Sequence, residues 1–274
     1  MTRTPSTPLR IGIAGLGAIG FDVAKRLDAG IAGLALIGVA ARDEAKATAK
    51  LAGLSQAPAL LDFTSLADQA DIVVESLPAA TFRDIAVPVL ERGKTLVAIS
   101  SAALLESADL FDLARQYGGR IIVPSGAMMA LDALAAMAEG EITAAKLISS
   151  KPPAGLRGAP YLVEQDINLE GLSAPLRVFS GNARAAAKAF PANVNVAATL
   201  SLAGIGPDRT LVEVWADPGI ARNTHAIEII SDSALLSAKI ENLPMVDNPR
   251  SSRITAMSIV STLRRLTAPL RVGG

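Results

Sequence analysis

The sequence predicts an α/β protein: a Rossmann-type domain with a parallel sheet, followed by a second, α+β domain with a mixed or antiparallel sheet. Three observations lead to this prediction. A glycine-rich stretch, Ile11–Gly20, lies between an apolar strand pattern and a helical pattern. Strand and helix patterns then alternate as far as residue 123, which is typical of parallel strands joined by helices. After residue 209, three strand patterns follow one another closely, which favours antiparallel pairing.

The stretch Ile11–Gly20 reads IGIAGLGAIG and contains the pattern Gly15-x-Gly17-x-x-Gly20. Between a strand and a helix, this pattern predicts a dinucleotide-binding turn. Gly15 would supply the tight turn, Gly17 would let the chain approach a pyrophosphate, and Gly20 would let the helix pack closely on the strand. The phosphates would bind the N–H groups at the start of the helix. The predicted cofactor contacts in this stretch are Gly15, Gly17, Ala18, Ile19 and Gly20.

The residue after the second strand distinguishes NAD from NADP in this fold. The pattern Leu34–Ala41 reads LALIGVAA, which is typical of a strand buried on both faces, and Arg42 and Asp43 follow it. About 20 positions after the glycines, an acid binds the ribose 2′-hydroxyl, whereas an arginine accommodates the 2′-phosphate. Arg42 therefore favours NADP, with NAD or dual use left open. In the alternative interpretation, Arg42 only covers a helix start and Asp43 caps that helix.

Two further strand patterns, Asp71–Ser76 and Thr95–Ser100, are separated by a helical pattern over residues 81–92. Pro88 lies inside that helical pattern, so the helix is expected to kink or to start late. The turns after both strands fall at the carboxyl edge of the sheet, where ligands bind in open α/β folds. We therefore predict that the nicotinamide half of the cofactor is lined by Leu77, Pro78 and Ser100.

The first domain is predicted to end at residue 123, because Arg120–Val123 reads as its last strand. A terminal helix within residues 248–274 is expected to complete this dinucleotide-binding domain. Residues 124–247 would form the domain for substrate binding, catalysis and dimerisation. Its predicted elements are a helix in Pro124–Met137, a strand at Ile142–Ser149, helices at Asn182–Phe190 and Asn193–Leu202, and strands at Thr210–Ala216, Asn223–Ile230 and Leu235–Ile240.

Charge and composition narrow the possible functions. The chain has 26 basic and 26 acidic side chains, so no net field attracts nucleic acid or an anionic membrane. No stretch approaches the roughly 20 apolar residues of a membrane-spanning helix. The absence of cysteine and the single histidine exclude disulfides, thiolate catalysis and zinc sites built from Cys or several His, and no metal is expected. A small-molecule substrate and a cytoplasmic location are the expectations.

The single histidine, His225, lies in the strand pattern that begins at Asn223. Period-two alternation places four residues on one face of this strand, namely Asn223, His225, Ile227 and Ile229. An imidazole that shares a face with two isoleucines is either a buried core residue or a general acid/base that exchanges protons near neutral pH. Asn223 adds a hydrogen-bonding group at the start of the strand, at an edge position.

Cationic and amide side chains outside this strand are further candidates. The stretch Lys151–Pro160 reads KPPAGLRGAP, and its prolines and glycines predict a loop. This basic loop is either a surface connection or the place where Lys151 and Arg157 bind a substrate carboxylate. Asn193 and Asn195 lie at a predicted helix start, where capping is the alternative to a ligand contact. At another helix start, residues 125–127 would present N–H groups to a carboxylate or carbonyl.

Several separated segments, together with the glycine loop, carry a family resemblance. They are Pro124–Leu134 (PSGAMMALDAL), Lys151–Pro160, Asn193–Thr199 (NVNVAAT), Asn223–His225 and Asn248–Ser258 (NPRSSRITAMS). With these segments in this order, the chain resembles the L-aspartate dehydrogenase family over nearly its whole length. The resemblance implies oxidative deamination of aspartate to oxaloacetate and ammonia with NAD or NADP, a Rossmann domain plus an α/β domain, and a homodimer. It also implies that His225 is the active-site residue and that Ala127 and Asn195 contact the cofactor.

One segment departs from the family pattern. Family members usually carry a glycine where this chain has Met129-Ala130, and the extra side-chain volume is expected to bear on substrate preference. Two other functions stay open at this point. One is a different two-domain NAD(P)H-dependent reductase, acting on a keto acid, a semialdehyde or a cyclic imine. The other is a non-catalytic dinucleotide sensor.

Overall fold

The computed structural model describes residues 7–191, 194–245, 248 and 251–273. The chain divides into two units, Met1–Pro124 with Ala256–Val272, and Ser125–Thr255 with Gly273–Gly274. The first division falls one residue after the predicted end of the first domain. Each unit contains its own sheet.

The first unit is built on a six-stranded parallel sheet with the order β3-β2-β1-β4-β5-β6. Its strands are β1 (Leu9–Ala14), β2 (Leu34–Ala40), β3 (Ala59–Leu60), β4 (Ile72–Glu75), β5 (Thr95–Ala98) and β6 (Arg120–Ile122). The two-residue β3 was not predicted, because it is too short to show a pattern. The strand order reverses between β1 and β4, which makes their carboxyl ends the expected ligand site of this fold.

Helices cover both faces of this sheet. They are α1 (Ala18–Asp28), α2 (Glu44–Leu51), α3 (Phe63–Gln69), α4 (Phe82–Glu91), α5 (Ser101–Leu104) and α6 (Asp109–Tyr117). Val23 of α1 packs into the core on one face, and Leu66 of α3 and Ile85 of α4 pack into the core on the other. The predicted helix over residues 81–92 is thus confirmed, with Pro88 inside it and a 3₁₀ turn, Ala79–Thr81, before it.

The second unit has a five-stranded mixed sheet with the order β11-β10-β7-β9-β8. Its strands are β7 (Ile142–Lys151), β8 (Leu176–Asn182), β9 (Leu211–Ala216), β10 (Asn223–Ser231) and β11 (Leu235–Asn242). The expected antiparallel pairing of the last three strands is correct for β10 and β11 and wrong for β9. The reason is that β7 lies between β10 and β9 and pairs with β9 in parallel. The sequence analysis also missed β8.

The helices of the second unit are short. They are α7 (Leu131–Met137), α8 (Pro160–Glu164), α9 (Ala183–Ala189) and α10 (Asn195–Ala203). The prediction that a helix begins near Ser125 is wrong, because Gly126 and Ala130 adopt φ angles of +60° and +56°, which turn the chain before α7. Residues 125–127 therefore offer no helix start to a ligand. The rings of Tyr161, Phe179 and Phe190 form an aromatic cluster, with centroids 5.4–5.7 Å apart.

The terminal helix α11 (Ile254–Thr267) belongs, from Ala256 onwards, to the first unit. Its buried residues Ile259 and Leu263 pack into the same core as Val23 of α1. The helix predicted within residues 248–274 thus begins at Ile254, and it contributes apolar side chains to the core of the first unit. None of the helices in the described part of the chain combines the length and the apolar character needed to cross a membrane.

Candidate active site

The glycine loop of the first unit, residues 14–20, has the backbone geometry predicted from its sequence. Gly15 adopts a φ of +96°, and a Cβ there would lie 2.6 Å from the Ser76 carbonyl oxygen. A Cβ on Gly20 would overlap the Gly15 carbonyl oxygen, so α1 begins in direct contact with the loop. The predicted backbone roles of Gly15 in the turn and of Gly20 in close packing are therefore confirmed.

Gly17 differs from the other two glycines, because no neighbouring atom among the described residues requires a glycine at this position. It is exposed, and a Cβ built on it meets no described heavy atom within 4 Å. Gly17 is the N-cap of α1, and no side chain in the described part of the chain caps this helix. The half-buried Ala18 and Ile19 follow it. The loop thus combines open space with uncapped N–H groups, an arrangement that fits a pyrophosphate.

Two side chains that the sequence analysis missed hold the glycine loop. The Ser76 hydroxyl, directly after β4, donates to the Gly15 carbonyl oxygen at 2.9 Å. The Lys50 ammonium of α2 donates to the Leu16 carbonyl oxygen at 2.9 Å. Lys50 therefore places a positive charge beside the loop, which suits an anionic ligand. Neither side chain is in the loop's own segment, so only the fold reveals its role.

The end of β2 supports part of each interpretation of Arg42 and Asp43. Both side chains are exposed. Asp43 caps α2 by accepting from the Lys46 backbone N–H at 3.0 Å, as the alternative interpretation predicted. This hydrogen bond holds the pKa of the Asp43 carboxyl below its ordinary value. Because the carboxylate is engaged in capping and in an ion pair with Lys46, it is poorly placed to serve as a ribose acceptor.

The turns after β4 and β5 meet through one buried carboxyl group, that of Glu75. Leu77 is half-buried, Pro78 is exposed and Ser100 is buried. Glu75 Oε1 accepts from the Leu77 N–H at 2.7 Å and from the Ser100 hydroxyl at 2.8 Å. Its Oε2 accepts from the Ser100 N–H at 3.0 Å. The structure thus brings the predicted residues Leu77 and Ser100 together, through a residue that the sequence analysis did not single out.

In the second unit, three predicted residues lie on one face of the sheet. Asn223 and His225 are on β10, and both are buried, as the period-two alternation predicted. His225 pairs with Ser149 of β7, and Lys151, two residues further along β7, shares the face of Ser149. A Cβ on Gly155 would lie 3.8 Å from Lys151 Cβ and 3.9 Å from Asn223 Oδ1, which brings this turn to the same place.

The environment of Lys151 and Asn223 differs from the sequence expectations. Lys151 is the last residue of β7 and only 4% exposed, so it is part of the sheet rather than of a surface loop. Asn223 is the first residue of β10, as predicted, and β10 is an interior strand of the sheet. Its Nδ2 donates to the Ser252 hydroxyl at 3.5 Å. Ser252 precedes α11 and has no sequence motif that points to this contact.

His225 is held as a neutral imidazole. The side chain is 2% exposed, and burial, followed by the positive charge of Lys151, lowers the pKa of His225 to about 3. Its Nδ1 is buried and has no hydrogen-bond partner among the described residues. A neutral imidazole is in the proton-accepting form that a general base needs, but a pKa this low makes it a weak base until an anion bound beside Lys151 raises that pKa.

The remaining predicted residues are spread over the second unit. Ala127 is buried, and its carbonyl oxygen accepts from Asn242 Nδ2 at 3.4 Å. Asn195 is exposed and is the first residue of α10, whose N-cap is Val194. Arg157 is exposed. Asn193 lies outside the described residues, and a cofactor contact for Ala127 and Asn195 stays a prediction.

Ala130, one of the two residues at the departure from the family pattern, adopts a left-handed conformation with φ +56° and ψ +32°. This conformation costs an alanine roughly 1–2 kcal/mol but costs a glycine almost nothing. A glycine usual in this segment therefore has a backbone reason, and Ala130 stores strain directly before α7. In the described part of the chain, no group of three or more His, Cys, Asp or Glu side chains could hold a metal ion.

Comparisons with protein-family models match both units. Residues 132–266 match the model described as "Aspartate dehydrogenase, C-terminal". Residues 15–124 match the model described as "Homoserine dehydrogenase, NAD binding domain". The second match covers the glycine loop from Gly15 onwards and the strands β2 to β6, so the first unit binds a nicotinamide dinucleotide. It does not distinguish NAD from NADP.

Relatives of similar length carry one shared name. The chain is 50% identical over 271 residues to an L-aspartate dehydrogenase of Bradyrhizobium diazoefficiens, covering 99% of this chain and 96% of the relative. It is 50% identical over 266 residues to L-aspartate dehydrogenase 3 of Bordetella bronchiseptica, covering 97% of each protein. An L-aspartate dehydrogenase of Methanocella arvoryzae is 39% identical over 96% of this chain and 99% of its own length.

Solved structures support the fold. The aspartate dehydrogenase of Thermotoga maritima superposes with a TM-score of 0.76 at 24% identity, covering 97% of this chain and 99% of that one. A hyperthermophilic archaeal homoserine dehydrogenase, solved in complex with NADPH, gives a TM-score of 0.60 at 13% identity over 98% of this chain and the whole of that one. At these identities, the likeness establishes a shared architecture.

The contrast between Gly17 and Gly20 gives a direct test of the dinucleotide site. Gly17→Ala should leave the melting temperature unchanged, because the added methyl meets open space. It should weaken dinucleotide binding by at least about tenfold, because the methyl occupies the position of the approaching pyrophosphate. Calorimetry of unfolding and a fluorescence titration with reduced dinucleotide measure the two effects.

Gly20→Ala is the matched control, since it adds the same methyl three residues away. There the methyl overlaps the Gly15 carbonyl oxygen, so the melting temperature should fall markedly. A Gly17→Ala variant with wild-type dinucleotide affinity would contradict the assignment of this loop.

Proposed function

The chain belongs to the L-aspartate dehydrogenase family, and from this premise we propose that it catalyses the NAD(P)-dependent oxidative deamination of L-aspartate to oxaloacetate and ammonia, through iminosuccinate. The observation that carries the proposal is the buried, neutral His225 on the same sheet face as the buried cation Lys151. A base and a cation are what an amino-dicarboxylate substrate requires. The near full-length relatives at 50% identity support aspartate as that substrate.

His225 would act as the proton acceptor of the reaction. The dinucleotide, when bound in the glycine loop, supplies the two-electron acceptor. Oxidation removes the Cα hydrogen with its electron pair, which requires an unprotonated amine, and a neutral imidazole is able to take the ammonium proton. After releasing that proton to solvent, the imidazole would take a proton from the water that adds to the imine carbon and return it to the amine nitrogen. Ammonia then leaves and the carbonyl of oxaloacetate forms.

Lys151 would bind a substrate carboxylate. Its ammonium is buried at the end of β7, where the low polarity of the surroundings strengthens attraction to an anion. Arg157 would serve a second carboxylate and is the weaker assignment, because its side chain is exposed. Asn223 lies beside His225 on the same face and would position the substrate through a hydrogen bond.

We also propose that the cofactor is NADP in preference to NAD. The exposed Arg42 lies two residues after the end of the Rossmann-type second strand, where an arginine accommodates a 2′-phosphate. Asp43 is engaged in capping α2, which leaves it poorly placed to bind a ribose 2′-hydroxyl. Dual use of both cofactors is compatible with these two observations.

A homodimer formed through the second unit is the proposed assembly. The support is the outer face of its sheet, where Ile230 and Leu235 are paired neighbours and both are exposed. Leu211 of β9 is exposed as well. Apolar side chains gathered on one open sheet face are typical of surfaces that pair with another protein surface.

Replacing His225 tests the proposed reaction. In His225→Ala, the kcat for aspartate oxidation should fall by about 10²–10⁴-fold, because the proton acceptor is lost. The dissociation constant of the dinucleotide should stay unchanged. The formation of reduced nicotinamide, followed by its absorbance, measures the rate.

The matched control for His225 is Thr224→Ala, one residue away on the opposite face of β10. Its kcat should stay within about twofold of wild type, as expected for a substitution away from the site. A His225→Ala variant with wild-type kcat would remove the assigned base. A wild-type protein that oxidises other amino acids but not aspartate would refute the substrate.

Replacing Arg42 tests the cofactor preference. Arg42→Ala should raise the dissociation constant of NADP⁺ by about tenfold or more, because a charge-assisted contact with the 2′-phosphate is lost. The dissociation constant of NAD⁺, which has no such phosphate, serves as the internal control and should hardly change. Equal changes in the two dissociation constants would show that Arg42 does not distinguish the 2′-phosphate from the 2′-hydroxyl.

A further inference from the structure

Glu75, the last residue of β4, is a buried acid that the proposed reaction does not use. Its side chain is 0% exposed, yet among the described residues no cation forms an ion pair with it. Three donors replace a cation, namely the Leu77 N–H, the Ser100 N–H and the Ser100 hydroxyl. A carboxylate is satisfied by such donors, although burial makes its negative charge costly.

The Ser100 hydroxyl allows this carboxyl group to exist in two protonation states. The hydroxyl oxygen lies 2.8 Å from Glu75 Oε1 and 3.0 Å from the Leu77 carbonyl oxygen. With Glu75 ionised, the hydroxyl donates to Oε1. With Glu75 protonated, the carboxyl donates to the hydroxyl, which turns its own proton to the Leu77 carbonyl. In the protonated state all four contacts have a donor, whereas in the ionised state only the Leu77 carbonyl is left without the hydroxyl proton, so the network accommodates either state.

Among the described residues, the strand neighbours of Glu75 and its hydrogen-bond partners carry no titratable side chain. Its strand neighbours are Ala14 on β1 and Ala98 on β5. The helix that packs on β4 and β5 is α4, and its charged side chains, Arg83, Asp84 and Glu91, are exposed. Burial is the largest influence and raises the pKa of the Glu75 carboxyl.

The position of Glu75 connects it to the cofactor. It ends β4 at the point where the strand order of the first sheet reverses, which is where a dinucleotide binds in this fold. Its two hydrogen-bonded partners, Leu77 and Ser100, are the residues predicted to line the nicotinamide half. An oxidised nicotinamide ring carries a positive charge and a reduced ring is neutral, so an anion at this edge favours the oxidised form.

We propose that Glu75 is protonated when the bound nicotinamide is reduced and ionised when it is oxidised, so that the protein binds NADP⁺ with fewer protons than NADPH. The proton passes between the Glu75 carboxyl and the buffer, and no other bond changes. Glu75 is therefore a positioning residue that matches the charge of the site to the redox state of the cofactor. The proposal rests on the proposed cofactor site but not on aspartate as the substrate.

The test compares the affinities of NADP⁺ and NADPH as a function of pH, without any amino acid present. In wild type, the ratio of the NADPH to the NADP⁺ dissociation constant should rise with pH above the ordinary glutamate value of 4.5, by up to tenfold per pH unit. In Glu75→Gln, the ratio should be lower at high pH and independent of pH. Fluorescence titration of NADPH and its displacement by NADP⁺ provide both constants.

Asp71→Asn is the matched control. Asp71 precedes β4 at the opposite end of the strand, where it pairs with Arg10, and its replacement also removes one negative charge. This variant should keep the wild-type pH dependence. The proposal is overturned if wild type and Glu75→Gln show the same pH dependence, or if Asp71→Asn loses it in the same way as Glu75→Gln.

A measurement on wild type keeps the proposal testable if Glu75→Gln fails to fold. Binding calorimetry in two buffers of different ionisation enthalpy counts the protons exchanged with each cofactor. Both cofactors carry the same 2′-phosphate, so its protonation cancels in the difference. A proton count that differs between NADP⁺ and NADPH supports the proposal, and equal counts overturn it. Since no amino acid is present, a failure to oxidise aspartate leaves this result unaffected.

Discussion

The proposed chemistry depends on the burial of an ammonium group and an imidazole on one face of the second unit's sheet. A buried charge is costly, and two positive charges on the same face cost more. Burial is the main reason why His225 stays unprotonated, and the positive charge of Lys151 adds to this effect. The imidazole consequently has its proton-accepting form at neutral pH. The same buried cation provides the attraction for an anionic substrate.

The first unit also contains a buried ionisable group, and hydrogen bonds rather than a neighbouring charge stabilise it. At the end of β4, Glu75 is buried among N–H and O–H donors, and the next residue, Ser76, ties the strand end to the glycine loop. One strand end thus connects three turns of the dinucleotide site. The close contact of Gly15 and Gly20 leaves no space for side chains there. The backbone at this edge of the sheet therefore requires glycine at positions 15 and 20.

Features encoded by neighbouring residues could be predicted from the sequence. The glycine loop followed by α1, the alternation of buried residues along β10 and the cap of α2 by Asp43 are all local, and each has the predicted form. The burial of Lys151 could not be predicted, because it depends on the pairing of β7 with β10, about 75 residues further along the chain.

The other incorrect predictions arise from contacts between distant segments or from a local backbone conformation. Glu75 was not singled out because two of its three donors belong to Ser100, in the turn after β5. The pairing of β9 was predicted wrongly because β7 lies beside it. The predicted helix start at Ser125 failed because an alanine, Ala130, adopts a conformation usual for glycine. A pattern of residue types does not reveal such a conformation. The sequence alone therefore could not predict which strands are neighbours or which residues adopt unusual backbone angles.

The most direct test of the central claim is an NMR titration of the imidazole. The chain contains one histidine, so every imidazole signal comes from His225. In the free, folded protein, its chemical shifts should stay those of a neutral ring from about pH 8 to about pH 5. In Lys151→Met, the pKa should rise, because the neighbouring positive charge is gone. A wild-type midpoint near the ordinary value of 6.5 would contradict the account.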